Sequence, residues 1–358
     1  MTVLSVTAFD AARDPLRMRR HIILGVLAAA LVLASLAACA IGALKIPLSH
    51  IMAALAGRLG FGADVETFEA AALFTIRLPR VGLAIGVGAV LGMGGAALQA
   101  LFRNPLADPG LVGVSGGAAC GAVGWIVLGT TLPAWMHSAA AMPLAAFACG
   151  LAATVCVYLI GRNRSGADIA TLLLAGLAMN AITTAVVGYL TYLGSDAQLR
   201  ALTFWLLGGL GGSTWQQIWP ALILMAAALG GLCALMRSYD LLALGESAAG
   251  HLGLAVETVR RLTLIFVALG VGASVALTGM IGFVGLAAPH LVRLMGGAAH
   301  RYVLPASALM GSLLVVLADI FARIAVAPAE LPVGVVTSAL GAPFFIWLLR
   351  RRLNGALA

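Results

Sequence analysis

The stretch RLPRVGLAIGVGAVLGMGGAALQALFRNPLADPG, from Arg77 to Gly110, decides the fold. Two arginines flank a proline at its start. Val81 to Phe102 then carries no charge, a run long enough to cross a bilayer. Arg103 and the turn-rich NPLADPG close it. Much of the stretch returns when the chain is slid so that Arg77 falls on Arg261. Leu78 then meets Leu262 and Ala84 meets Ala268. Gly86, Val87, Gly88 and Ala89 meet Gly270, Val271, Gly272 and Ala273, and Gly95, Pro105 and Gly113 meet Gly279, Pro289 and Gly297. Glycine and alanine are abundant enough for some chance matches. The GVGA block, the Arg-Leu pair and the proline in one register point to an internal duplication, a common way to build a transporter.

Composition agrees. Of 358 residues, 62% are hydrophobic and only 9% are charged, and several long windows carry no charge. A β-barrel would alternate polar and apolar residues, whereas these runs are continuous. The chain reads as an all-α polytopic membrane protein of about ten transmembrane helices. Its 44 glycines suit helices packed through small side chains, as in Gly82-xxx-Gly86 and Gly88-xxx-Gly92. The five cysteines lie in apolar stretches without metal-ligand spacing and read as small core residues. A net charge of +8 would suggest nucleic acid in a soluble protein; here it points to cytoplasmic loops, and no nucleic-acid partner is expected.

Ten spans follow: Ile22–Leu44, Val81–Phe102, Leu111–Thr131, a fourth ending near Gly161, Ile169–Leu193, Trp215–Met236, Leu262–Met280, a short Pro289–Gly297, Tyr302–Ala322 and Pro332–Leu349. Residues 1–20 form a polar arm. GSDAQLRALTFWLLGGLGGST reads as a loop with a short helix. The run from Leu262 to Pro289 exceeds one untilted span, so a break is expected around Gly279, Gly282, Gly285 and Pro289. An even number of spans puts both termini on one side. That side holds fifteen of the 21 Lys and Arg residues and the other six, which places both termini in the cytoplasm. The two repeats, 77–195 and 261–350, then begin on opposite faces, so the duplication is inverted within a single 1–358 domain.

No nucleotide site is present. The lone lysine, Lys45, lies in GALKI, so no phosphate-cradling loop ending in Gly-Lys-Ser/Thr exists. The chain is not expected to be an enzyme or to bind a cofactor. Asp319 is the one acid well inside a span. A proton relay there would make the chain an ion-coupled secondary transporter. Arg323, four residues on, offers a plain intrahelical pair instead.

RLPR, GAALQALFRNPLADPGLVGVSGGA, LALGESAAGHLG, GFVGLAAPHLVRL and ADIFARIAVAPAELPVGVVTSALGAPFFIWLL resemble the permease subunits of bacterial type II ABC importers. That family takes up vitamin B12, ferric siderophores and haem. The resemblance runs from the first span onward and implies a vitamin B12-permease-like fold in the bacterial inner membrane. It also implies a homodimer among membrane lipid, working with two ATP-binding cassette subunits that carry ATP-Mg and with a periplasmic substrate-binding protein. The ligand would pass along the dimer axis by alternating access.

Within the cytoplasmic loop 238–258, Leu244, Gly245, Glu246, Ala248, Ala249, Gly250, Leu252 and Gly253 match the family's ATPase-coupling helix. Leu241, Leu242 and Leu244, expected to be exposed, support a protein contact over an ordinary polar loop. Asn104 and Leu106 match the cytoplasmic gate of the B12 permeases, although a Pro-bounded turn alone accounts for both prolines of that loop. Arg77, Arg80 and Arg323 match outer arginines that grip acidic residues of the binding protein; headgroup anchoring is the plainer reading of the first two. Arg200, beside Phe204 and Trp205, sits at the outer mouth. A cation next to aromatics suits a flat anionic ligand, so haem is favoured over siderophore or B12. The six histidines are expected at span ends, with none an axial iron ligand.

Overall fold

The structure is a computed structural model that describes residues 13–42, 46–58, 60, 68–131, 133, 137–163, 166–167 and 169–356. The first part of the predicted polar arm, Lys45, and Arg164, Ser165 and Asp168 of the polar stretch between the fourth and fifth expected spans lie outside the described residues. The helices are α1 (Arg13–Ala40), α2 (Leu48–Arg58), α3 (Phe68–Ala72), α4 (Leu78–Leu101), α5 (Val114–Leu128), α6 (Ala141–Gly161), α7 (Ile169–Leu193) and α8 (Asp196–Leu207). They continue as α9 (Trp215–Ala234), α10 (Met236–Leu242), α11 (Glu246–His251), α12 (Val256–Thr278), α13 (Val284–Gly296), α14 (His300–Ile324) and α15 (Val333–Ala356). Arg162–Asn163 and Gly166–Ala167 pair as a minimal antiparallel hairpin between α6 and α7.

Among the described residues, seven helices are long and apolar enough to cross a membrane, and Val114–Leu128 and Val333–Ile346 are shorter apolar helices. Most of the expected spans coincide with helices, and three boundaries need correction. First, α1 begins at Arg13, so the basic residues of the arm are already helical. Arginine and leucine propagate a helix readily past the apolar run. Second, the helix of the second span starts at Phe68, because a π-helical turn over Leu73–Arg77 joins α3 to α4. Pro79 lacks an N–H and would clash in a regular helix interior; the wider turn accommodates it, and Leu78 N–H bonds the carbonyl of Leu73.

Third, the expected break after α12 is present but shorter than expected, at Gly279–Phe283, so that Gly285 and Pro289 already belong to α13. Gly279 ends α12 at φ 67°, a conformation that favours glycine. A Cβ there would sit 1.9 Å from the carbonyl oxygen of Trp205, so the break is wedged beneath the end of α8. Pro289 lies inside α13, where it leaves the carbonyl of Gly285 without its helical donor. Gln99 of α4 supplies one, donating through Nε2 at 3.3 Å.

Helix α4 is the axis of the molecule: 83% of its apolar window is buried. It packs against α14, α13, α12 and α9. The close approach comes from glycine. A Cβ on Gly92 would stand 2.1 Å from the carbonyl oxygen of Ser307, and one on Gly88 2.3 Å from that of Gly311. Without a hydrophobic driving force between helices in lipid, such close backbone packing carries the association. The aligned glycines Gly86 and Gly270 both face α9: a Cβ on either would meet α9 side chains at 2.9 Å. By contrast, only 22% of the α7 window and 28% of the α1 window are buried. Cys39 is buried as expected of a core residue, but Cys149 and Cys156 are exposed on α6. That helix has an outward apolar face, and apolar no longer means interior where the solvent is lipid.

Helix α1 is held by arginines at both ends. Arg20 donates to the carbonyl of Gly296 at 2.9 Å and lies over the ring of Tyr302. At the other end, Arg323 donates to the carbonyls of Ala38 and Ile41, at 3.1 and 2.8 Å, and Arg77 donates to that of Cys39. The last carbonyls of a helix have no internal partner, and cations satisfy them.

Candidate functional site

The loop between α9 and α12 folds as two short helices, α10 and α11, joined at Gly245 with φ 106° and released into α12 at Gly253 with φ 85°. Both glycines sit where an L side chain would be strained. Ala249 is fully buried and seats α11 on the body, whereas Leu244 and Leu252 are 63% and 62% exposed. Leu242 is buried and Leu241 half-buried, which corrects the expected exposed row of leucines: the outward pair is Leu244 and Leu252. Ala248, Gly250 and Gly253 are exposed, and a Cβ added to Gly250 would meet nothing within 4 Å. Glu246 pairs with Arg260 at 2.7 Å. Beside α11 runs an open groove of about 1100 Å³, lined by Phe102, Arg103, Ile169, Leu173, Leu244 and Ser247.

Arg103 opens the next site with a left-handed backbone, φ 46°. Asn104 turns inward: its Oδ1 accepts from Leu106 N–H at 2.9 Å and its carbonyl accepts from Ala107 N–H at 3.1 Å. Its side chain builds the turn. Leu106 points out, 46% exposed, toward a cavity of about 500 Å³ shared with Asp108, Ser115, Asn180, Thr183 and Phe283. Asp108 accepts from Gly110 N–H at 2.8 Å. Burial pushes its carboxyl above the usual range, and that hydrogen bond pulls the other way. Asn180 donates to the carbonyl of Gly110 at 3.0 Å, fastening the loop to α7.

At the opposite end, Arg80 and Arg323 flank Asp319, and Arg77 lies close to Arg323 at the end of α1. Asp319 is 1% exposed. It accepts from Arg80 at 2.9 Å and pairs with Arg323 at 3.1 Å. Arg80 also grips Glu330 at 2.9 Å. Arg77 and Arg323 hold α1 as described. The expected Asp319–Arg323 pair is therefore present as one edge of a four-residue charge cluster with Arg80 and Glu330.

On α8, Arg200 and Phe204 are exposed one turn apart on one face. Trp205 faces inward, and its Nε1 is buried with no hydrogen-bond partner among the described residues. One histidine, His300, departs from the surface or interfacial positions expected, and His290 is half-buried. His300 is buried and bonds Asp240 at 2.8 Å, and His290 packs edge-on to Phe344.

The sequence profile of the FecCD transport family matches residues 28–351. The chain belongs to the FecCD transport family, the permeases of type II ABC importers. It is 46% identical over 279 residues to the hemin transport system permease protein HmuU of Yersinia pestis, covering 77% of this chain and 82% of that one. It is 44% identical over 290 residues to the vitamin B12 import system permease protein BtuC of Citrobacter koseri, covering 81% and 84%. A solved structure described as an inward-facing metal-chelate type ABC transporter superposes with a TM-score of 0.79 at 29% identity, covering 92% of this chain and 99% of the other.

In this FecCD permease, three contacts went unread in the sequence. Glu330 as partner of Arg80 lies 250 residues away, with no local signal. Arg260 counted only as a cytoplasmic charge, yet it is 4% exposed and bonds Glu246 and Glu257. The Glu257–Arg260 spacing of three was the signal available. Tyr158, which donates to Glu257 at 2.7 Å, had none.

Proposed function

We propose that this permease works as a homodimer that moves haem, or a related iron chelate or corrinoid, from periplasm to cytoplasm by alternating access. Two ATP-binding cassette subunits seat on the loop 238–258, and a periplasmic binding protein delivers the ligand. Taking α5, α13 and α15 as short spans beside the seven long helices gives ten, both termini in the cytoplasm and repeats 77–195 and 261–350 of inverted topology. The shared packing of Gly86 and Gly270 on α9 supports the repeat.

One observation carries the reading: Leu244 and Leu252 exposed around a short helix whose own seat is Ala249. An outward apolar pair on a cytoplasmic loop fits an occupied groove on a partner. Leu106 is the gate side chain, and Asn104 shapes the turn that presents it. Arg200 and Phe204 form the outer mouth, where a cation beside a ring suits a flat anion. The outer arginines meet acidic groups of the binding protein by exchanging internal partners, Arg80 first because Glu330 is the exposed member of the cluster. The hemin and B12 permeases match at nearly equal identity, so Arg200 with Phe204 is what favours haem. Asp319 is held between two arginines, which leaves little support for an ion-coupled transporter using it.

The test is uptake into proteoliposomes. Haem uptake should require the ATPase subunits, the binding protein and ATP, and excess cobalamin should compete poorly. Uptake driven by a proton gradient without an ATPase would overturn the importer reading; preferred uptake of cobalamin would overturn haem alone.

A further inference from the structure

We infer that Arg260 is the positioning residue that makes the coupling helix α11 and the buried helix α12 move as one body. The inference rests on the proposed role of the loop as the ATPase contact. Connectivity alone leaves α11 hinged. Gly245 precedes it at φ 106° and Gly253 follows it at φ 85°, so both flanking joints are glycines in positive-φ conformations. Apart from the buried Ala249, its side-chain anchor to the body among the described residues is Glu246, which reaches α12 through Arg260.

The Arg260 geometry is that of a fork. Nη2 donates to Oε1 of Glu246 at 2.7 Å, and Nη1 donates to Oε2 of Glu257 at 2.8 Å. Charge-assisted bonds of this length are among the stronger contacts available, and a planar guanidinium fixes the angle between its two acids. Oε1 of Glu257 accepts from Tyr158 O–H at 2.7 Å, so α6 joins the same chain of bonds. The fork is shielded: Arg260 is 4% exposed, while Glu246 and Glu257 are 38% and 41% exposed. Helix α12 then enters the body, with 67% of its apolar window buried against α4, α5, α6 and α9. A push on α11 thus reaches the helices around α4 through Arg260, where the two glycine joints would otherwise absorb it.

The experiment uses the full-length permease with its ATPase subunits, in a cysteine-free background with spin labels at His251→Cys and Thr258→Cys, both exposed. Distances are measured without nucleotide and with ATP and vanadate. The unsubstituted fork should give one narrow distance, the same in both states. Arg260→Met should lose that single distance and make it nucleotide-dependent, while the ATPase still co-purifies. Arg260→Lys should restore part of it, since an ammonium reaches one of the two acids. Glu246→Gln, which spares the Glu257 pair, should loosen the distance as well and serves if Arg260→Met does not fold. A narrow, nucleotide-independent distance in Arg260→Met, or in Glu246→Gln where that variant stands in, overturns the inference. Gly250→Trp tests the underlying reading separately: if the ATPase still binds it normally, the loop is not the contact, whatever the label distances show.

Discussion

The two ends of this permease use their chemistry in opposite directions. At the arginine-rich end, Arg80 and Arg323 share Asp319 and Arg80 also holds Glu330, and Arg77, Arg323 and Asp319 are nearly buried. At the loop end, leucines face outward, and Gly250 has empty space where a side chain would be. The arginine-rich end is therefore built to hold helices together, and under the proposed function the loop end is built to be covered by a partner. Charge does not by itself mark a docking surface, nor does an apolar residue mark a core.

The contrast is broken most severely at Asp319. Asp319→Ala leaves Arg80 and Arg323 facing each other without their shared acid, at a cost of about 3–5 kcal/mol. Denaturant or thermal unfolding in detergent should show it, and a loss under about 1 kcal/mol would mean that the cluster holds little. Gly250→Trp should do the reverse. Its stability should stay within about 0.5 kcal/mol of the parent, while co-purification of the ATPase falls at least about tenfold, or ~1.4 kcal/mol. A variant that unfolds would show that the open space at Gly250 is not open. Leu244→Ala and Leu252→Ala should each weaken ATPase binding by about 1–2 kcal/mol, as for partly covered anchors of an interface. Titration calorimetry on the detergent-solubilised permease decides this, and two silent substitutions would move the contact elsewhere on the loop. The smallest effect is expected at Glu330. Glu330→Gln removes a half-exposed pair, changing stability by less than about 1 kcal/mol. It also uncovers Nη1 of Arg80, which stays tied to Asp319 through Nε and Nη2, so a binding protein that docks there should associate faster at low salt and equally fast at high salt. Identical kinetics at both ionic strengths would leave Arg80 purely internal.

The helices were legible because charge is excluded from them: the long uncharged runs left little choice of boundary. Boundaries failed where the deciding atom belongs to another part of the chain. The break expected between Gly279 and Pro289 is present at its Gly279 end, but Gln99 repairs the carbonyl that Pro289 frees, so the helix resumes before the proline. The loop motif was legible as a string, whereas its outward side chains depend on which residues the body covers, so Leu242 could not be separated from Leu244. The inward turn of the outer arginines was hidden for a similar reason. Arg323 and Asp319 are four apart and readable, but the carbonyls of Ala38 and Ile41 carry no sequence signature.

The two-ended fastening of α1 bears on how the protein is made. Its outer carbonyls wait for Arg77 and Arg323, and Arg20 waits for the carbonyl of Gly296, 276 residues further on. A ribosome delivers these partners in order, so α1 is made long before two of the groups that fasten it. Until Arg323 has been translated, Arg77 is the arginine available to the carbonyl end of α1. A nascent chain stopped before Gly296 would carry an inserted first helix with neither Arg20 nor Arg323 engaged, open to the proteases and insertion factors that survey unfinished membrane proteins.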